Sequence, residues 1–119
     1  MERKENLKLV RIFIGESDKY KHKPLYEEIV FLAKKSEFAG ATVTRGIMGF
    51  GAHSVVHKSK MLELSNDLPI IIEIVDTDEK IRKMISDVED LFEESKNGGL
   101  ITIEDAEVIL YKPGIKREE

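Results

Sequence analysis

With 119 residues, 41% of them hydrophobic, the chain can build one modest core and has no material for a second. Its 19 Lys and Arg against 23 Asp and Glu leave a formal net charge of −4, the wrong sign for a protein whose affinity comes from neutralising phosphates, so nucleic acid is not expected as a partner. Cysteine is absent, which excludes a disulfide framework, thiol catalysis and thiolate metal ligation, and no apolar run approaches the length of a membrane span. The opening Met1-Glu2-Arg3-Lys4-Glu5 does not resemble a secretory signal, and a cytoplasmic location is expected.

Over residues 7–14, Val10, Ile12 and Ile14 alternate with Leu9, Arg11 and Phe13, which predicts a first strand closed by Gly15. A polar loop over residues 16–23 follows. Pro24 suits a first helical position, and Leu25, Ile29, Leu32 and Ala33 then recur at helical spacing toward a stop near Gly40. Period two returns over residues 41–47 as a second strand, which runs into Gly46-Ile47-Met48-Gly49-Phe50-Gly51. Residues 52–66 read as a loop. Pro69 opens the most β-prone run of the chain, Ile70-Ile71-Ile72-Glu73-Ile74-Val75, the third strand. Asp76 followed by Glu79 has the form of a capping box, and Ile81, Met84, Ile85, Val88, Leu91 and Phe92 mark one face of a second helix that stops before Asn97-Gly98-Gly99. Residues 100–103 and 108–111 read as one or two final strands, and the tail over 112–119 as frayed.

Strand, helix, strand thus occurs twice. The predicted fold is α+β, a ferredoxin-like βαββαβ sandwich with an antiparallel sheet and two helices on one face. It forms one domain over residues 1–119 with its core in about 7–111. The sheet's second face would carry Leu9, Phe13, Ile71 and Val75, apolar side chains that a lone copy would leave wet, and self-association is the natural remedy.

Several enzyme patterns are missing: no Gly-x-x-x-x-Gly-Lys phosphate loop, no Gly-x-Ser-x-Gly elbow and no His-Glu-x-x-His pair. The acidic pairs Glu16 with Asp18 and Glu73 with Asp76 could do acid-base work only in a cleft that the sequence does not reveal. No catalytic residue is predicted. The three glycines of residues 46–51 allow either unusual dihedrals and close backbone approach to a ligand or simply a bulge and a turn. His53 and His57, four residues apart, could share a helical face toward a metal with His22 as a distant third ligand, or stand as surface histidines. Beside Lys58 and Lys60 they could instead face a phosphate, as could Lys19, Lys21, His22 and Lys23.

Gly40-Ala41-Thr42-Val43-Thr44 leading to Gly49-Phe50-Gly51, then Leu68-Pro69-Ile70-Ile71-Ile72-Glu73-Ile74-Val75-Asp76, resembles the PII-like (GlnB-like) signalling proteins over about residues 7–111. The Ile-Gly-Glu-Ser-Asp of residues 14–18 looks closest to their uncharacterised branch. The resemblance implies a ferredoxin-like homotrimer with its sheets packed inside. It implies an adenine nucleotide in each cleft between subunits, and a ligand-responsive loop over residues 51–66 that signals to a protein target such as a membrane transporter or an enzyme. Carried onto this chain, the nucleotide-binding positions are Gly49, Phe50, Gly51 and His53 with Lys96, Asn97, Gly98 and Gly99, where glycine backbone N–H groups and a lysine would meet phosphate.

The chain also departs from the PII pattern. No tyrosine lies between Gly46 and Leu68, which disfavours control by uridylylation. The loop before the last strand lacks Thr-Gly-x-x-Gly-x-Gly-Lys, so AMP or ADP is expected in preference to ATP, with no metal cofactor. The alternative is a trimer similar to the CutA proteins that binds metal through His53 and His57. An acylphosphatase-like enzyme would need an arginine in an anion-cradling first loop, and Gly15-Glu16-Ser17-Asp18 is acidic instead.

Overall fold

Alternation along the first strand decides which side of the sheet becomes the interior. In the computed structural model, which describes residues 7–51 and 67–115, β1 (Leu7–Gly15) buries Val10, Ile12 and Ile14 while Leu9, Arg11 and Phe13 stay half-buried on the opposite face. Strand β5 (Pro69–Thr77) repeats the pattern with Ile70, Ile72 and Ile74. The two pair antiparallel from Leu7 opposite Thr77 to Gly15 opposite Pro69, which sets Val10 opposite Ile74, Ile12 opposite Ile72 and Ile14 opposite Ile70 on one face.

Two edge strands complete the sheet. β6 (Leu100–Ala106) pairs with the other side of β1, from Leu7 opposite Ala106 to Phe13 opposite Leu100. β4 (Thr42–Arg45) pairs with β5, from Thr42 opposite Glu73 to Arg45 opposite Ile70. The order is β4-β5-β1-β6, antiparallel throughout, which is the ferredoxin-like arrangement expected for βαββαβ. The last strand occupies 100–106 alone, and residues 108–111 form no strand. The expected polar loop contains a small hairpin, β2 (Lys19–Tyr20) with β3 (Lys23–Pro24), whose two turn residues Lys21 (φ 48°) and His22 (φ 69°) are left-handed as a type I′ turn requires.

Two helices cover one face. α1 (Leu25–Lys35) contributes Leu25, Ile29 and Ala33, and α2 (Asp78–Ser95) contributes Ile81, Met84 and Val88; these six meet Val10, Ile12, Ile14, Ile70, Ile72 and Ile74 in one core. Among the described residues no polar or charged residue is buried. Burying a Val, Ile, Leu or Met side chain stabilises by about 1.5–3 kcal/mol, so this layer holds the fold together.

The helix ends differ from expectation in instructive ways. The N-cap of α2 is Thr77, whose hydroxyl accepts from the Lys80 N–H at 3.4 Å; Asp76, expected there, instead accepts from the Thr77 N–H at 2.7 Å. α1 stops at Lys35, well before Gly40. Glu37 takes the left-handed conformation (φ 64°) and the Phe38 N–H returns to the Ala33 carbonyl at 3.2 Å. α2 stops in the same way, with Lys96 left-handed (φ 61°) and the Asn97 N–H donating to the Phe92 carbonyl at 3.0 Å. A non-glycine residue there carries a strain of about 1–2 kcal/mol, which the closing hydrogen bond and packing offset.

Candidate functional site

The strand tips at one end of the sheet surround a cleft of about 790 Å³, within the range of small-molecule sites. In sheet order, β4 runs out into residues 46–51, β5 begins after Asp67 and Leu68, β1 ends in the turn of Gly15 to Asp18, and β6 begins after Lys96 to Gly99. Four separate connections therefore meet above one edge of the core.

Each connection is tied down. The Asn97 side chain donates to the Lys19 carbonyl at 2.8 Å and to Ser95 Oγ at 2.9 Å, which fixes the α2–β6 turn against the β2 hairpin. The Glu16 N–H donates to the Leu68 carbonyl at 2.9 Å and the Gly46 N–H to the Pro69 carbonyl at 2.7 Å. Arg45 reaches Glu16 at 2.5 Å. The turn after β1 is thus the hub onto which the residues on both sides of 52–66 are fastened.

Glycine serves here as room, and not as left-handed backbone: among the described residues no glycine has positive φ. A Cβ on Gly46 would stand 2.6 Å from the Pro69 ring and one on Gly49 3.0 Å from it, so residues 46–49 lie flat against that proline. At Gly99 the neighbour is backbone: a Cβ there would stand 2.7 Å from the Phe13 carbonyl and 2.8 Å from the Phe92 ring, whereas Gly98 faces open space. Of the two readings of the three glycines, unusual dihedrals are not seen at Gly46 and Gly49, and their close approach is to Pro69.

The cleft also contains carboxylates. Asp18 Oδ2 accepts from the Gly15 N–H at 2.9 Å, and Asp67 Oδ1 accepts from the Ser17 N–H at 3.0 Å. Burial pushes the Asp18 carboxyl above its ordinary range and the charge of Asp67 adds to the rise, while the Gly15 N–H opposes both. Phe13, Phe50 and Leu100 supply apolar wall. Phe50, with Ile47 and Met48 beside it, is largely exposed, a run of apolar surface among the described residues.

Of the residues singled out from sequence, Gly49, Phe50 and Gly51 and Lys96, Asn97, Gly98 and Gly99 all line this one cleft. His53 and His57 lie outside the described residues, and so does nearly all of the loop over 51–66. His22 sits in the exposed β2–β3 turn. Among the described residues no three His, Cys, Asp or Glu side chains are placed to hold a metal ion. Asp67, Gly15 and Pro69 were not anticipated, although the pairing of Gly15 with Pro69 follows from aligning the two apolar strand patterns.

The opposite face of the sheet has its own unanticipated feature. Arg11 Nε donates to Glu73 Oε2 at 2.8 Å, and Nη1 donates to Glu104 Oε1, so one guanidinium on the central strand bridges its two neighbours. Period two places Arg11 with Leu9 and Phe13, and the same alternation sets Glu73 between Ile71 and Val75 on that face.

The comparisons with known proteins bear on this geometry. The family model DUF190, described as Uncharacterized ACR, matches residues 7–108. A UPF0166 protein of Aquifex aeolicus (strain VF5) is 39% identical over 102 residues, 86% of this chain and 92% of the relative. One of Methanocaldococcus jannaschii is 38% identical over 101 residues, 85% of this chain and 90% of the relative. Among solved structures, CPII of Thiomonas intermedia K12, a nitrogen regulatory PII-like protein bound to ADP, AMP and bicarbonate, superposes with a TM-score of 0.62 at 20% identity, over 86% of this chain and 87% of that one. A PII-like signalling protein of Thermus thermophilus gives 0.61 at 17% identity, over 87% and 89%. No helix among the described residues is long and apolar enough to cross a membrane. The chain belongs to the DUF190 (UPF0166) family, and its fold is that of the PII-like proteins.

Proposed function

We propose that this chain is a PII-like regulatory protein that binds an adenine nucleotide, AMP or ADP in preference to ATP, and performs no catalysis. The observation that carries the reading is the convergence of Gly49 to Gly51 with Lys96 to Gly99 on one cleft at the strand tips. Amide groups and a lysine in such a turn suit a short anionic group, and the apolar Phe50 and Leu100 suit a planar base. That CPII was solved with ADP and AMP supports the same ligand class.

In this reading the protein is a homotrimer built through the open sheet face, and the exposed Ile47, Met48 and Phe50 meet a neighbouring subunit at the cleft. Residues 51–66 carry the signal to a protein target, and His53 belongs to the nucleotide site. The whole chain, residues 1–119, acts as one unit in one compartment, the cytoplasm. A ligand can shift such a loop only by the difference in its affinity for the loop's two states.

Isothermal titration with AMP, ADP and ATP tests the reading directly, with Gly98→Glu as control because a side chain there meets open space and should leave the fold intact. Saturable binding to the wild type that is lost in a variant with unchanged melting temperature is the expected result. Absence of binding to all three nucleotides overturns it, and metal uptake that depends on His53 and His57 would favour the CutA-like alternative.

A further inference from the structure

The cleft carries opposite charges on neighbouring strand tips. Lys96 stands at the β6 side with the backbone of Gly98 and Gly99, and one strand over, above β1 and β5, stand Asp18 and Asp67. The two carboxylates close in on Gly15: a Cβ there would lie 2.8 Å from Asp67 Oδ1 and 3.4 Å from Asp18 Oδ1. Each is held by a single backbone donor, Gly15 N–H for Asp18 Oδ2 and Ser17 N–H for Asp67 Oδ1. Asp18 Oδ1 and Asp67 Oδ2 accept nothing from the described residues. Both therefore remain acceptors on the wall of a cleft whose other side offers donors.

We propose that Asp18 and Asp67 are the specificity determinants of this cleft. They accept hydrogen bonds from the hydroxyl or amino groups of the ligand and repel any anionic group that extends beyond the Lys96 to Gly99 turn. The ligand they select has a donor-bearing head and one short anionic tail, as in a nucleoside monophosphate or diphosphate. A third phosphate has to leave the β6 side and meet two carboxylates, one of them already partly desolvated, where like charge is least screened. The inference rests on the nucleotide reading above and adds to it the residues that set the preference.

The test is titration of wild type, Asp18→Asn and Asp67→Asn with AMP and with ATP in EDTA, each protein first checked by thermal melting. Removing an ionised acceptor should weaken AMP binding by about tenfold. Removing the repulsion should strengthen ATP binding in the same variants, so the AMP-to-ATP preference narrows from both sides. Asp67 is exposed, so Asp67→Asn provides a folded variant even where Asp18→Asn does not. Wild type that binds nucleotide with a preference unchanged in both variants overturns this inference and leaves the nucleotide reading standing. Wild type that binds neither nucleotide overturns both.

Discussion

The two faces of one sheet are made by alternate residues of the same strands, yet they obey different rules. Toward the helices β1 and β5 present Val10, Ile12, Ile14, Ile70, Ile72 and Ile74, all buried. Away from them the same strands present Leu9, Phe13, Ile71 and Val75 around a charged centre, with Arg11 between Glu73 and Glu104. A face meant only for water would not carry that much apolar area, and a face meant for helices would not carry three charges. The second face is consistent with contact between copies, where the ion cluster would fix register and the aliphatic ring around it would supply the burial.

Neighbouring residues on one strand separate the two faces most strongly. Ile72→Ala removes buried methylenes and should cost about 2–5 kcal/mol in chemical denaturation, whereas Ile71→Asp, one residue away, should leave the fold intact but abolish assembly in sedimentation velocity. An Ile71→Asp protein that sediments like the wild type would mean the open face binds no second copy.

Gly99 and Gly98 pose the same contrast at the sheet's edge, where a packed position and open space stand side by side. A methyl at Gly99 meets the Phe13 carbonyl at 2.7 Å, which is backbone and cannot swing away, so Gly99→Ala should destabilise by about 1–3 kcal/mol. Gly98→Ala meets nothing within 4 Å and should be close to neutral in the same melt. Equal effects at both positions would show that backbone freedom, and not contact, governs this turn.

Lys96 tests whether the cleft is built at the expense of stability. Glycine would relax its left-handed backbone, so Lys96→Gly should raise stability by about 1 kcal/mol while weakening AMP binding. A variant that gains stability and keeps its full affinity would remove the lysine from the site.

The legible parts of the molecule are those where burial imposes a period. Ile12, Ile72 and Ile81 declared the covered face because every second or every third to fourth residue had to be apolar, and the order of the elements followed. Helix ends were less legible: Glu37 and Lys96 take a conformation usually given to glycine, and nothing in their side chains announces it. Lys96 to Gly99 and Gly49 to Gly51 could be named in advance but not brought together by period alone; the family resemblance supplied their grouping. Asp67 was invisible for a simpler reason. Its importance lies in reaching Ser17 across 50 residues of sequence, a contact that depends on the pairing of β1 with β5.

Asp18 carries the smallest predicted effect and the one that joins stability to selection. Burial raises its carboxyl above the ordinary 3.8, so the folded chain holds that proton more tightly than the unfolded chain does. Folding then takes up a proton between the two values: the acid favours the fold as pH falls through the raised value, reaches its full contribution below 3.8, and at neutral pH subtracts from stability. Asn keeps an acceptor for the Gly15 N–H without the charge. Asp18→Asn should therefore melt slightly above the wild type at neutral pH, with the difference shrinking steadily as pH approaches 4. A lower melting temperature at neutral pH would show that the charged hydrogen bond to Gly15 outweighs desolvation. A gain that disappears in acid would instead identify Asp18 as a carboxylate kept against the interest of the fold, as a residue that selects a ligand would be.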